Sequence, residues 1–172
     1  MEPLASFVLP GVPVVLKNSK QIAFNRRTGR PFVISNKRVE TYRHKMLALL
    51  CAEWGPLTEP IRSPVRMQAI FFGSWKSTNA SLPDLSNLYQ MPEDLLEEAG
   101  VIENDRQIES HAGSCRVCLC DNCPDRPVLK SGPNKGKRKK DCGAVKRCPY
   151  VRTVVTLFAW EPGCRDSSRD YA

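Results

Sequence analysis

Two aspartates have the type and spacing to do phosphate chemistry. Asp84 lies in Pro83-Asp84-Leu85-Ser86-Asn87-Leu88, and Asp105 in Glu103-Asn104-Asp105, five residues after Gly100. Carboxylates are hard oxygen ligands. Mg²⁺ takes one or two of them while keeping waters and binding substrate phosphates. Such an ion activates water and stabilises charge on a phosphate in flight, which is what cutting a phosphodiester needs. The same residues have plain structural uses as well: Asp84 is a natural N-cap, and Asp105 can close a turn.

A second chemistry is carried by cysteine. Six of the eight cysteines fall in Cys115-x2-Cys118-x-Cys120-x2-Cys123 and Cys142-x5-Cys148, with Cys51 and Cys164 outside. Thiolates at knuckle spacing suit tetrahedral Zn²⁺, and a structural site needs four ligands. The expected set is Cys120, Cys123, Cys142 and Cys148, a knuckle plus a distant closing pair, with Cys115 or Cys118 able to replace a member. A loop of unpaired thiols is the alternative. The charge lies in the same stretch. Residues 114–150 hold ten Lys and Arg against three Asp, which is +7 of the chain's +8. Such an asymmetry suits a polyanion, most simply nucleic acid. Lys135, Lys137, Arg138, Lys139 and Lys140 would contact phosphates without regard to sequence and with strong salt dependence. A solvated basic loop is the plainer reading of the same run.

No run of about 18 apolar residues exists, so no membrane partner is expected. Residues 1–16 lack a basic leader and are interrupted by Pro3, Pro10 and Pro13. They read as a strand, not a signal peptide. A reducing, cytoplasmic and nucleoid-associated setting is the expectation, and it favours metal over disulfides for the cysteines.

The elements that must position these groups follow from periodicity. Residues 5–9 form an apolar strand stopped by Pro10-Gly11. Residues 17–31 are polar and basic with a turn at Thr28-Gly29, and Phe32-Val33-Ile34-Ser35 completes a hairpin. From Val39 the spacing turns helical through Tyr42, Met46, Leu49, Leu50 and Trp54, and Gly55-Pro56 stops it. Arg43 and Lys45 would face solvent or a ligand. Residues 63–75 alternate as a strand. Asp84 then opens a second helix with an apolar stripe at Leu85, Leu88, Leu95, Leu96 and Ala99. Pro92 predicts a kink or a two-piece helix, and Gly100 ends it. Gln107 to His111 reads as a strand, as does 151–160. The order is β-β-α-β-α-β-[insert]-β, an α+β fold with a small mixed sheet and two main helices. Residues 1–113 plus 151–160 form the domain, 114–150 a cysteine-rich basic insertion, and 161–172 a tail.

A straight helix over 84–99 runs out about 24 Å. Extended chain over 101–105 returns about 17 Å. The arithmetic lets one chain bring Asp105 back toward the level of Asp84, and a dimer partner could equally supply the second carboxylate.

The combination Pro-Asp-x-x-Asn-Leu, a helix of this length, and a turn with a second Asp followed by Arg106-Gln107-Ile108 resembles the RusA family of Holliday junction resolvases. The resemblance is specific over residues 82–111 and weaker across the N-terminal hairpin, first helix and last strand. It implies a homodimer that cuts four-way DNA junctions in recombination and repair, using Mg²⁺ or Mn²⁺ bound by aspartates. Asp84 matches the first metal aspartate and Asp105 the distal one. Asp94 matches an acid carried later on the same helix, which would support the site alongside Ser86, Asn87 and Gln90. Three positions depart from the family pattern: Ser86 stands for an aspartate, Gln90 for a lysine, and Asn104 for the first of two aspartates. Lys76, or Lys17 and Lys20, could supply the missing positive charge and bind DNA. The resemblance implies a metal-dependent endonuclease that resolves branched DNA. The alternative is a nucleic-acid-binding zinc protein on the same fold with catalysis weakened.

Overall fold

The computed structural model describes residues 1–12, 14–15, 21–34, 36–73, 83–118, 131–133, 135–136 and 150–161. Among these residues, seven strands and two helices occur in the order β1 (Ala5–Pro10), β2 (Gln21–Phe24), β3 (Pro31–Ile34), α1 (Lys37–Trp54), β4 (Val65–Gly73), α2 (Leu85–Glu98), β5 (Ile108–Ser110), β6 (Cys115–Cys118) and β7 (Arg152–Ala159). A 3-10 turn over Asp105–Gln107 precedes β5. The mixed sheet and two helices make the α+β fold expected from the pattern. The chain divides into two compact units. One comprises Met1–Pro13, Val65–Leu82 and Ser110–Ala172, and the other Val14–Pro64 and Pro83–Glu109.

The first unit is built on a sheet. β7 runs antiparallel to both β1 and β4, and β6 joins β4 in parallel. Side chains alternate across the pleat, so register decides which ones meet. Met67 faces Leu157, Ala69 faces Val155 and Phe71 faces Thr153, and Phe7 of β1 faces Val155 from the other side. All seven are buried. The opposite face carries the intervening residues. There Arg66 lies 4.5 Å over the ring of Phe158, and Arg152 lies 4.5 Å over the ring of Phe72. The alternating sequence leaves Ile70 and Phe72 as apolar residues on that opposite face. Both are half-buried. Cys115 to Cys118, at the front of the segment set apart as an insertion, is a strand of this sheet. The turn before it is fastened to β4: Gln68 Nε2 donates to the Gly113 carbonyl at 3.0 Å, and Ser114 Oγ accepts from Ala69 N at 2.8 Å.

The second unit holds both helices. α1 starts two residues before the expected Val39, because the Asn36 side chain accepts from Arg38 N at 2.9 Å and caps it. Val39, Met46 and Leu50 are its buried stripe. Leu88, Met91, Leu95 and Leu96 are buried on α2. Across the helices the Arg43 guanidinium grips Glu98 Oε2 at 2.9 Å through both Nε and NH2. Pro92 lies buried inside α2, which continues through it as one helix and not as two pieces. The helix ends in a Schellman motif: Val101 N donates to Leu96 O at 2.9 Å and Gly100 N to Glu97 O at 3.0 Å. The motif requires a left-handed residue between them, and Gly100 sits at φ 70°.

The N-terminal pairing differs from expectation. β1 does not form a hairpin with residues 32–35; it pairs with β7. The hairpin is β2 with β3, and β2 lies inside the stretch read as a polar loop. The short run Gln21-Ile22-Ala23-Phe24 was masked by the polar and basic residues on either side of it.

Candidate active site

Asp84 occupies the N-cap of α2 with extended backbone, φ −60° and ψ 149°. Its carbonyl accepts from Asn87 N at 3.1 Å and Leu88 N at 3.3 Å. Its side chain makes no capping hydrogen bond, so the exposed carboxylate is not engaged by the helix it opens. Ser86 and Gln90 are exposed on the first turns, and Asn87 is half-buried.

Asp105 is placed by a tightly bonded turn. The side chain of Asn104 accepts from Arg106 N at 3.0 Å, and Gln107 Oε1 accepts from both Glu103 N and Asn104 N at 2.8 Å. This is a reciprocal capping box on a 3-10 helix. The same Gln107 reaches outward through Nε2 to the carbonyls of Ile61 at 3.0 Å and Ser63 at 3.3 Å. One amide side chain thus closes the turn and ties it to the segment after α1. Asp105 N donates to Glu97 Oε2 at 3.3 Å, which sets the aspartate beside the last turns of α2.

The extended return estimated from the sequence is therefore replaced by a coil that stays near the helix C-terminus. Asp84 to Glu97 spans about 20 Å along the axis at about 1.5 Å per residue. What the turn gathers is a group of acids on the second half of α2. The Asp94 carboxyl is held above its ordinary pKa. Partial desolvation is the largest cause; Glu93, Asp105 and Glu97 also raise it, while Arg43 pulls it down. Asp94 and Asp105 thus feel each other's charge, and Asp84 is not among the groups acting on Asp94.

The carboxylates of Asp84 and Asp105 are both exposed, and carboxylate oxygen is the type of ligand that Mg²⁺ or Mn²⁺ accepts. Among the described residues, no three His, Cys, Asp or Glu side chains converge as a metal-binding group. Of the cysteines, Cys115 is exposed and Cys118 half-buried, both as free thiols on β6. Residues three apart on a strand point to opposite faces, so the two cannot ligate one ion while β6 persists. Lys135 is exposed in a short turn. Lys17, Lys20, Lys76, Cys120, Cys123, Lys137, Arg138, Lys139, Lys140, Cys142 and Cys148 lie outside the described residues. Two residues that the sequence reading passed over matter for the site's placement. Glu97, exposed on α2, receives Asp105 N, and Gln107 had no assigned role. The Asn104-x-x-Gln107 spacing of a capping box was the signal for the second.

Exposed acidic side chains are thus displayed from one helix and its closing turn, on a small α+β scaffold. The comparison with known families adds to this. The chain matches Endodeoxyribonuclease RusA over residues 10–116, more than half its length, and it belongs to the RusA endodeoxyribonuclease family. The match includes Asp84, Asp94, Asp105 and Gln107. No curated protein matches the chain. Among the described residues, no helix is long and apolar enough to cross a membrane.

Proposed function

We propose that the protein is a divalent-metal-dependent endonuclease that resolves four-way DNA junctions, with Asp84 and Asp105 as the carboxylate ligands of Mg²⁺ or Mn²⁺. The observation that carries this reading is the family match across both aspartates, joined to an Asp84 carboxylate that its helix leaves free. When bound, the metal would activate water and neutralise charge on the scissile phosphate. Asp94 adds negative potential at the Asp105 end, and Arg43 tempers it.

The placement of the two aspartates bears on how the site is assembled. Magnesium holds its oxygen ligands at about 2.0–2.1 Å, so two carboxylates sharing one ion must come within a few ångströms. Asp84 and Asp105 stand toward opposite ends of α2. The reading therefore includes a homodimer in which Asp84 of one copy meets Asp105 of the other, giving two symmetric sites for paired cuts. Lys76, with Lys17 and Lys20, is proposed to face the scissile strand, and Lys135, Lys137, Arg138, Lys139 and Lys140 to track phosphates. Cys120, Cys123, Cys142 and Cys148 are proposed to bind structural zinc that folds the basic insertion. Cleavage of a synthetic four-way junction tests the reading: Mg²⁺-dependent paired nicks are expected. Binding without cutting in Mg²⁺ and Mn²⁺ would favour a DNA-binding descendant instead.

A further inference from the structure

The β2–β3 hairpin is apolar on both sides. Cross-strand partners share a face. Phe24 pairs with Pro31 and Ile22 with Val33, whereas Ala23 pairs with Phe32 and Gln21 with Ile34. Ile22 and Phe24 therefore lie on one face, and Phe32 and Ile34 on the other. All four are open to solvent, at 70%, 66%, 47% and 38% for Ile22, Phe24, Phe32 and Ile34. A two-stranded ribbon by itself is marginally stable, and apolar side chains exposed on both of its faces mark a surface that meets a partner.

The tip of the ribbon is cationic and well ordered by its own bonds. Asn25 Oδ1 accepts from Arg27 N at 2.9 Å and Thr28 N at 3.2 Å. Gly29 N donates to Asn25 O at 2.8 Å, and Asn25 N to Arg30 O at 2.9 Å. The loop so held presents Arg26, Arg27 and Arg30, all exposed. No acid occurs between Glu2 and Glu40 to offset them.

We propose that this hairpin is a wedge that recognises the branch point of DNA. Arg26, Arg27 and Arg30 contact phosphates, while Phe24 and Phe32 stack on base faces on opposite sides of the ribbon. The inference rests on the branched-DNA reading above. Charge complementarity selects a polyanion over a second copy of the chain, because two such tips brought together would repel. The aromatic rings select among polyanions. Inside continuous duplex each base face is covered by its neighbour. At a branch point the ends of adjoining arms can part and offer two opposed faces, which a ribbon with one ring on each side can cover at once. Apolar side chains inserted at base steps are a general device for holding unstacked DNA, and stacking tolerates any sequence because every base has a π-face.

The test compares the full-length protein with its Phe24→Ala/Phe32→Ala variant on a four-way junction and on linear duplex of equal length, at one salt concentration. 2-Aminopurine at the branch point reports stacking. Junction affinity is expected to fall on the order of tenfold or more while duplex affinity holds, and the change in 2-aminopurine fluorescence on binding should disappear. Phe24→Tyr/Phe32→Tyr should restore both. Phe24→Leu/Phe32→Leu keeps the apolar area without the rings, and should lose junction preference with its circular dichroism unchanged. Equal losses on junction and duplex, or no loss, would overturn the wedge, as would a dimer that dissociates when the phenylalanines are removed. A wild-type protein with no preference for junctions would overturn the branched-DNA reading and the wedge together. A preference that survives the double substitution overturns the wedge alone.

Discussion

Gln107→Ala is the sharpest perturbation of the candidate site that leaves every carboxylate in place. The side chain accepts two hydrogen bonds at 2.8 Å from Glu103 N and Asn104 N, and donates two at 3.0 and 3.3 Å to Ile61 and Ser63 carbonyls. A hydrogen bond is worth a net 0.5–1.5 kcal/mol or so. Four would suggest more, but Gln107 is only half-buried and water can replace part of the set. A loss of about 2 kcal/mol is the working estimate. With a urea slope of about 1–3 kcal/mol/M, the unfolding midpoint should move down by roughly 1 M. The functional effect is separable. Asp105 rides on the turn that Gln107 closes, so the Mg²⁺ concentration for half-maximal cleavage should rise several-fold with junction binding retained. Gln107→Glu keeps the size but turns an acceptor toward two carbonyls, and should not rescue either property. A midpoint that moves by less than about 0.2 M, with unchanged Mg²⁺ dependence, would refute the idea that this side chain positions Asp105.

Asp94 has a folded pKa above its ordinary value. The folded chain therefore keeps a proton that the unfolded chain releases. The resulting cost to stability is full above the folded pKa and is relieved as pH falls through it toward the ordinary value. Asp94→Asn should stabilise the protein at neutral pH, and Arg43→Ala should raise the Asp94 pKa further; a carboxyl titration by NMR at or below the ordinary range would contradict both. Gly113→Ala places a Cβ 2.5 Å from Gln68 Nε2 at a residue with φ 78°. It should destabilise by about 1–3 kcal/mol, read as a lower thermal midpoint, and no change would mean that the turn into β6 is slack. Protein purified without chelator should contain zinc by elemental analysis and lose it on Cys120→Ser or Cys142→Ser, whereas metal-free protein would remove the proposed zinc site.

Much of the scaffold was readable because local chemistry and global fold agree. The alternation within Val65 to Phe72 marked a strand, and the stripe on α2 and the glycine after it marked the helix and where it ends. Asp84 stood out as the first residue outside a helix. What could not be read was set by long-range pairing or by bonds between side chains. β1 takes β7 as its neighbour across most of the chain, and nothing local to residues 5–10 encodes that choice. β2 is four residues long and flanked by lysines and arginines, so its periodicity was too short to stand out. The position of Asp105 depends on a capping box and on Glu97, which replace the extended return that rise-per-residue arithmetic allowed. Cys115 and Cys118 match a zinc knuckle in spacing, yet they occupy a strand because β4 offers an edge for pairing.

The central claim is that Asp84 and Asp105 hold the metal of a junction-cutting dimer, each site drawing one aspartate from each copy. Complementation tests it most directly. Asp84→Asn and Asp105→Asn proteins are assayed separately and after being mixed and allowed to exchange subunits, on a four-way junction with Mg²⁺. Each variant alone should bind the junction without cutting it. The mixture should regain nicking, because a mixed dimer rebuilds one intact pair of aspartates. Cutting by either variant alone, or a mixture that exchanges subunits and stays inert, would contradict the account.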